Sequence, residues 1–155
     1  MRRSDNDAWP EAIFRTLKGA GVRQVAYVPD GGHKRLIELC IADKEMHTVV
    51  LSTEEEGIGL LSGAWLGGQR GVLLMLVTMR GQKGEFNPWQ VPMGQATPAV
   101  LQAMDVVVNE ANSAAEIAPT VDAAARLAFG SYQAVAVLIS QAVIGIKSFQ
   151  DQASR

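Results

Sequence analysis

Five short apolar runs constrain this chain more than any other feature. They span Gln24 to Val28, Thr48 to Leu51, Gly71 to Thr78, Val106 to Val108 and Ala134 to Ile139. In them apolar residues follow one another instead of alternating with polar ones. A strand that shows one face to water alternates with a period of two, whereas an unbroken run is buried on both faces. Helical stretches separate the runs, so strands and helices take turns along the chain. That order predicts an α/β fold: a parallel sheet between two layers of helices, a three-layer α/β/α sandwich. At 155 residues the chain is expected to form a single domain over 1–155.

The helix boundaries carry their own signals. Trp9-Pro10-Glu11 opens the first helix with Asp7 or Ala8 near its cap, Ile13, Phe14 and Leu17 as its stripe, and Gly21 past its end. Pro29-Asp30-Gly31-Gly32 reads as a turn and His33 to Asp43 as a second helix. Gly67 and Gly68 stop a third. Arg80 to Gln95 is expected to be a long loop, with a helix from Thr97-Pro98 to Met104. Ser113, with Glu116 in the capping-box position, starts an alanine-rich helix that runs to Phe129.

One stretch resists this scheme. Parallel neighbours need a crossover of about a dozen residues or more. The run Gly71-Val-Leu-Leu-Met-Leu-Val-Thr-Met-Arg80 is either one long strand or two strands, Gly71 to Met75 and Leu76 to Met79, whose connection is missing from this sequence.

Composition excludes several functions. Net charge is -2 with no basic run, which argues against nucleic-acid binding. No apolar run approaches the roughly 18 residues of a membrane span. The N-terminal Met1-Arg2-Arg3-Ser4-Asp5-Asn6-Asp7 has no apolar core behind it and does not read as a signal peptide. The one cysteine, Cys40, beside Leu36, Ile37 and Leu39, reads as core packing. A cytoplasmic protein fits these features. The apolar fraction of 48% suggests an obligate partner.

The chemistry points to Thr53-Glu54-Glu55-Glu56-Gly57-Ile58-Gly59-Leu60-Leu61-Ser62-Gly63-Ala64-Trp65. It places carboxylates at the head of an otherwise apolar helix. An acid buried there would need a raised pKa or a dedicated hydrogen-bond partner, and so marks a candidate site. First-turn acids are also favoured by the helix dipole alone. Asp30 follows a strand end, where open α/β sheets gather ligands, but suits a plain turn as well. Phe86, Pro88 and Trp89 would be sticky if exposed in a loop, so they read as interface.

Several motifs together resemble a known family. Val28-Pro29-Asp30 with Lys34 and Leu36 resembles the first active-site turn of sulfopyruvate and phosphonopyruvate decarboxylases. Glu55, followed by Gly57, Gly59, Ser62, Gly63, Ala64 and Trp65, resembles the pyrimidine-binding half of thiamine-diphosphate enzymes. Arg80-Gly81-Gln82 and Val91-Pro92-Met93-Gly94-Gln95-Ala96-Thr97-Pro98 are similar to sulfopyruvate decarboxylase alpha chains. The resemblance spans about Trp9 to Phe149. It implies the fold already read from the strands, and a thiamine diphosphate cofactor with Mg²⁺. Glu55 would hydrogen-bond the pyrimidine N1′ and so favour the imino form of the cofactor's 4′-amino group, the base that activates it. Pro29 and Gly59 would border the cofactor, and Asp30 would orient substrate or relay a proton. Lys34 and His33 would meet the anionic end of a sulfonated or phosphonated 2-oxo acid. The Gly-Asp-Gly motif that holds metal and diphosphate in such enzymes does not occur here. The resemblance therefore implies a separate beta subunit with that site, in an α2β2 or larger assembly. A module that keeps the fold and has lost the chemistry is the alternative.

Two departures stand out. The family has a Ser/Gly/Asn-rich loop and a helix where Met75 here joins Leu76 directly; the segment is either deleted or left out of this sequence, and the second is expected because deleting a crossover would wreck a parallel sheet. Relatives also commonly have Ser after Pro-Asp, where this chain has Gly31-Gly32-His33.

Overall fold

The computed structural model describes residues 8–69 and 73–145. The expectations for Met1 to Asp7, for Gly71 and Val72 and for the stretch to Phe149 lie outside them. The chain runs α1 (Trp9–Gly19), β1 (Gln24–Tyr27), α2 (Lys34–Ala42), β2 (His47–Val50), α3 (Glu54–Leu66), β3 (Leu74–Thr78), α4 (Gln90–Ala103), β4 (Val107–Ala111), α5 (Ala114–Ser131), β5 (Val135–Ile139) and α6 (Gln141–Ile144). All strand pairs are parallel, as the unbroken apolar runs require. Alternate residues of β5 sort the layers. Val135, Val137 and Ile139 face α1, α2 and α5 through Ile13, Leu17, Leu36, Cys40, Ile117 and Val121. Ala136 and Leu138 face the other way, toward Met79, Val106 and Leu101 of α4. The result is the expected α/β/α sandwich. Fully buried side chains such as Ile13, Ile117 and Val121 each contribute roughly 1.5–3 kcal/mol.

The sheet, however, is divided. β1 pairs with β2, and β3–β5–β4 form a separate three-stranded sheet. β3 runs unbroken through Met75 and Leu76. Its five residues are all half-buried, whereas those of the central strand β5 are all buried. What joins the halves is α1, which packs on both α2 and α5, and a contact at the strand ends. There the Thr78 hydroxyl donates to Asp30 Oδ2 at 2.7 Å.

Two local readings are corrected. Helix α4 begins at Gln90, seven residues before Thr97, and carries Pro98 inside it. It forms despite its prolines because its inner stripe, Gly94, Thr97, Pro98 and Leu101, packs inward; Gly94 lies so close that a Cβ would land on the Arg80 carbonyl. Strand β4 continues past Val108 through Asn109 and Glu110 to Ala111. Its polar residues sit at the open end of the sheet, where water replaces the covering layer. The short helix α6 follows β5, capped by Ser140 Oγ, which accepts from the Ala142 amide at 3.3 Å.

Candidate functional site

Asp30 is the best-connected carboxylate at the strand ends. It accepts hydrogen bonds from the Gly32 amide at 3.0 Å, the His33 amide at 3.1 Å and the Thr78 hydroxyl at 2.7 Å. His33 Nδ1 lies 3.1 Å from Oδ2. Burial works to raise its pKa, but the His33 side chain, the Gly32 amide and the Thr78 hydroxyl outweigh it and hold the carboxyl well below its ordinary range. Asp30 is thus an ionised fixing point with its donors already in place. Gly32 is required beside it: a Cβ there would come within 2.7 Å of Thr78 Cγ2. A cleft lined by Asp30, Gly32, Thr78, Met79, Arg80 and Gln141 measures only about 10 Å³, too little for a ligand in the single chain.

His33 is not on a solvated helix face. It is buried at the N-cap of α2, edge-on to Trp9 with ring centroids 6.3 Å apart, and its Nε2 is buried without a hydrogen-bond partner. Lys34, the first residue of α2, is exposed, and so is Pro29. The turn therefore brings Asp30 and His33 together and leaves Lys34 on the surface beside them.

Glu55 stands in the first turn of α3, beyond the end of β2. Its neighbours have settled roles. Glu56 reaches back to accept from the Ser52 amide and hydroxyl, both at 2.8 Å, which closes the helix start and lowers its pKa. Gly57 is buried, and a Cβ there would sit tightly against Leu51, 3.1 Å from its Cδ1. Glu54 and Glu55 are exposed in the single chain, so no dry pocket surrounds Glu55 within it. Helical spacing explains the difference. Gly57, Leu60, Leu61 and Ala64 form the inner stripe, and Glu55, Ile58, Gly59, Ser62, Trp65 and Leu66 fall on the opposite face. On that face Ile58, Trp65 and Leu66 are 53%, 55% and 79% exposed, which is costly for an unpartnered surface. Trp89, Met93, Val100 and Met104 form a similar exposed apolar line along α4 and at its two ends.

The loop before α4 is locked by a network that the sequence did not disclose. Glu85, its side chain 2% exposed, takes a bidentate pair from Arg80 at 2.8 and 2.7 Å, with further bonds from the Gly81 and Asn87 amides and Gln141 Nε2. Arg80 chiefly, with these donors, drives the Glu85 pKa far down against its burial. Gln82 Oε1 accepts from Ser140 Oγ and the Gln141 amide. Arg80 is thereby committed to Glu85 rather than poised for an anion. The Arg80-Gly81-Gln82 motif was visible in the sequence, but its partners lie five and about sixty residues away. Phe86 is half-buried beneath the Arg80 guanidinium, 5.9 Å from the ring centroid, whereas Trp89 is exposed. Among the described residues no group of three or more His, Cys, Asp and Glu side chains forms a metal site. Nor is any described helix long and apolar enough to cross a membrane.

This geometry sits beside a set of similar proteins. No protein-family model matches the chain. Three curated proteins do, each named sulfopyruvate decarboxylase subunit alpha. That of Methanothermobacter thermautotrophicus is 28% identical over 154 residues, covering 83% of this chain and 93% of the relative. The Methanococcus maripaludis protein is 26% identical with 83% and 92% covered, and the Methanocaldococcus jannaschii protein 25% identical with 61% and 71% covered. The chain is similar to sulfopyruvate decarboxylase alpha subunits over most of its length. The lengths carry a second finding. A match spanning 154 residues takes up 83% of this 155-residue chain, so about 25 residues of the relative have no counterpart here. The other two relatives show the same deficit.

Proposed function

We propose that this chain is the alpha subunit of a thiamine-diphosphate-dependent 2-oxo acid decarboxylase acting on 3-sulfopyruvate, giving sulfoacetaldehyde and CO₂. The observation that carries the reading is the similarity to three proteins of that name across most of the chain. Phosphonopyruvate is the nearest alternative substrate, since a sulfonate and a phosphonate present similar oxygens. The exposed face of α3 supports a half-site completed by a beta subunit. Glu55 shares that face with Ile58, Trp65 and Leu66, so a partner that covers the apolar stripe also dries the carboxylate. The open surface beside Gly59, where a Cβ would meet nothing within 4 Å, leaves room for a flat ring against the helix.

In this reading the partner holds Mg²⁺ and the diphosphate, and bound thiamine diphosphate supplies the electron sink for loss of CO₂. The chain's own residues position and protonate. Glu55, dried by the partner, shares a proton with the pyrimidine N1′. Asp30 stays ionised and orients the turn. Lys34, exposed beside it, meets the anionic end of the substrate. His33, held by Asp30, presents its Nε2 to the site only if the turn opens.

The experiment is to isolate the complex from its host, identify the co-purifying chain and assay decarboxylation with Glu55→Gln beside the wild type. A partner with Gly-Asp-Gly and a downstream Asn, cofactor in the complex, and activity lost in a folded Glu55→Gln variant are expected. Wild-type turnover in the variant would sink the assignment. A second reading has an observation of its own. The deficit of about 25 residues and the divided sheet favour a non-catalytic module that keeps the fold and binds a partner. A complex with the partner that neither binds the cofactor nor releases CO₂ would establish it.

A further inference from the structure

A cavity much larger than the Asp30 cleft lies next to it, on the α4 side of the sheet. It measures about 210 Å³ and opens at the carboxyl ends of β3, β5 and β4. The topology explains why it is there. The chain leaving β3 goes to α4 on the Ala136 and Leu138 face. The chain leaving β4 goes to α5 on the Val135, Val137 and Ile139 face. Connections that part to opposite faces leave a crevice at the strand ends, the place where open α/β sheets bind ligands.

Its lining is specific. Met79, Leu138 and Pro98 give it an apolar floor, and Met79 and Leu138 are 4% and 2% exposed. Gly81 and Gly94 wall it, and neither accepts a side chain, since a Cβ on either would strike backbone. The polar groups are Gln82, Gln95, Glu110, Asn112 and Ser140. Gln82 Oε1 is spent on Ser140 and the Gln141 amide, which leaves its Nε2. Among the described residues the side chains of Glu110, Gln95 and Asn112 have no hydrogen-bond or ion-pair partner. None of the lining residues is Lys or Arg, and the neighbouring Arg80 is neutralised by Glu85. The pocket therefore offers one unpaired carboxylate and three amides over a greasy floor. An anionic ligand would be repelled by Glu110, with only neutral N–H donors to offset it.

We propose that this cavity is a binding site for a small amine: a primary ammonium group on Glu110, flanked by the free amides, with a short apolar body over Met79, Leu138 and Pro98. It adjoins the Asp30 cleft, with which it shares Met79, but takes a ligand of the opposite charge to a 2-oxo acid, and it stands whether or not the decarboxylase reading does.

The test is an NMR titration of the full chain with three near-isosteric probes: n-butylammonium, butan-1-ol and butyrate. The ammonium ion should bind in the millimolar range, with shifts centred on Met79, Gln82, Glu110 and Leu138. The alcohol should bind roughly tenfold more weakly and butyrate not measurably. Glu110→Gln, an exposed change on the rim of β4, should bring the ammonium ion down to the level of the alcohol. Added salt should weaken the ammonium ion alone. Equal binding of all three probes, an unaltered affinity in Glu110→Gln, or no shift at the cavity residues would each overturn the proposal.

Discussion

Asp30 gathers two backbone amides, a hydroxyl and an imidazole from its own turn and from β3, and that makes its charge a structural asset. A carboxyl whose pKa is lower in the folded than in the unfolded chain stabilises the fold at pH values above its unfolded pKa. That stabilisation is lost as pH falls through the folded value. Glu85 obeys the same rule for its bonds to Arg80. Stability should therefore hold flat down to the ordinary carboxylate range near pH 4 and then drop, with Asp30→Asn and Glu85→Gln each reducing the drop. Denaturant midpoints measured from pH 7 downward check this, and an unchanged acid limb in both variants would contradict it. Gly32 makes a steric demand at the same place. Gly32→Ala sets a methyl 2.7 Å from Thr78 Cγ2 and should cost about 1–3 kcal/mol in chemical denaturation. Adding Thr78→Ser, which keeps the hydroxyl and removes the methyl, should restore part of the loss; no recovery would place the strain elsewhere. At the other extreme Cys40, with burial as the main cause, has its thiol pushed up to about 11, in keeping with its reading as core packing.

Helix α3 shows what a sequence can and cannot declare about an element. Its start was legible because first-turn acids mark a helix head, where Glu56 accepts from the neighbouring Ser52, and its end because Gly67 and Gly68 stop it. The strands were legible because burial on both faces removes polar residues from them. The α4 boundary was not, since Pro92 and Pro98 argue locally for loop, and the inward packing of its inner stripe, with Gly94 against Arg80, carries the helix through. The environment of Glu55 was hidden for a similar reason: an apolar helix can be oily because it is core or because it awaits a partner, and the sequence is the same. The stripe of Ile58, Trp65 and Leu66 separates these cases by experiment. Leu66→Asp should change the stability of the isolated chain by less than about 0.5 kcal/mol, because Leu66 is 79% exposed. The same change should abolish assembly with the partner, read by native mass spectrometry of co-expressed chains. A variant that assembles normally would remove α3 from the interface.

The whole molecule is held together less evenly than a sandwich of continuous sheet would be. β5 lies between two partners, and all five of its residues are buried. β1 and β2 have only each other, with half-buried or exposed residues throughout. The β1–β2 unit is tied to the remainder by α1 against α5 and by the Asp30–Thr78 contact, not by a ladder of backbone hydrogen bonds. The chain is about 25 residues short of its relatives, and its sheet is divided between β1–β2 and β3–β5–β4, each half keeping a helical cover. Cooperative units follow the density of such links. Native-state hydrogen exchange should accordingly show β5 amides opening only with global unfolding, and β1 and β2 amides exchanging at least about tenfold faster through a separate opening. Thr78→Ala, which removes the hydroxyl from Asp30, should speed β1 and β2 further and leave β5 nearly unchanged. Uniform protection across all five strands would mean that the helices alone weld the halves into one unit, and the divided sheet would then have no energetic consequence.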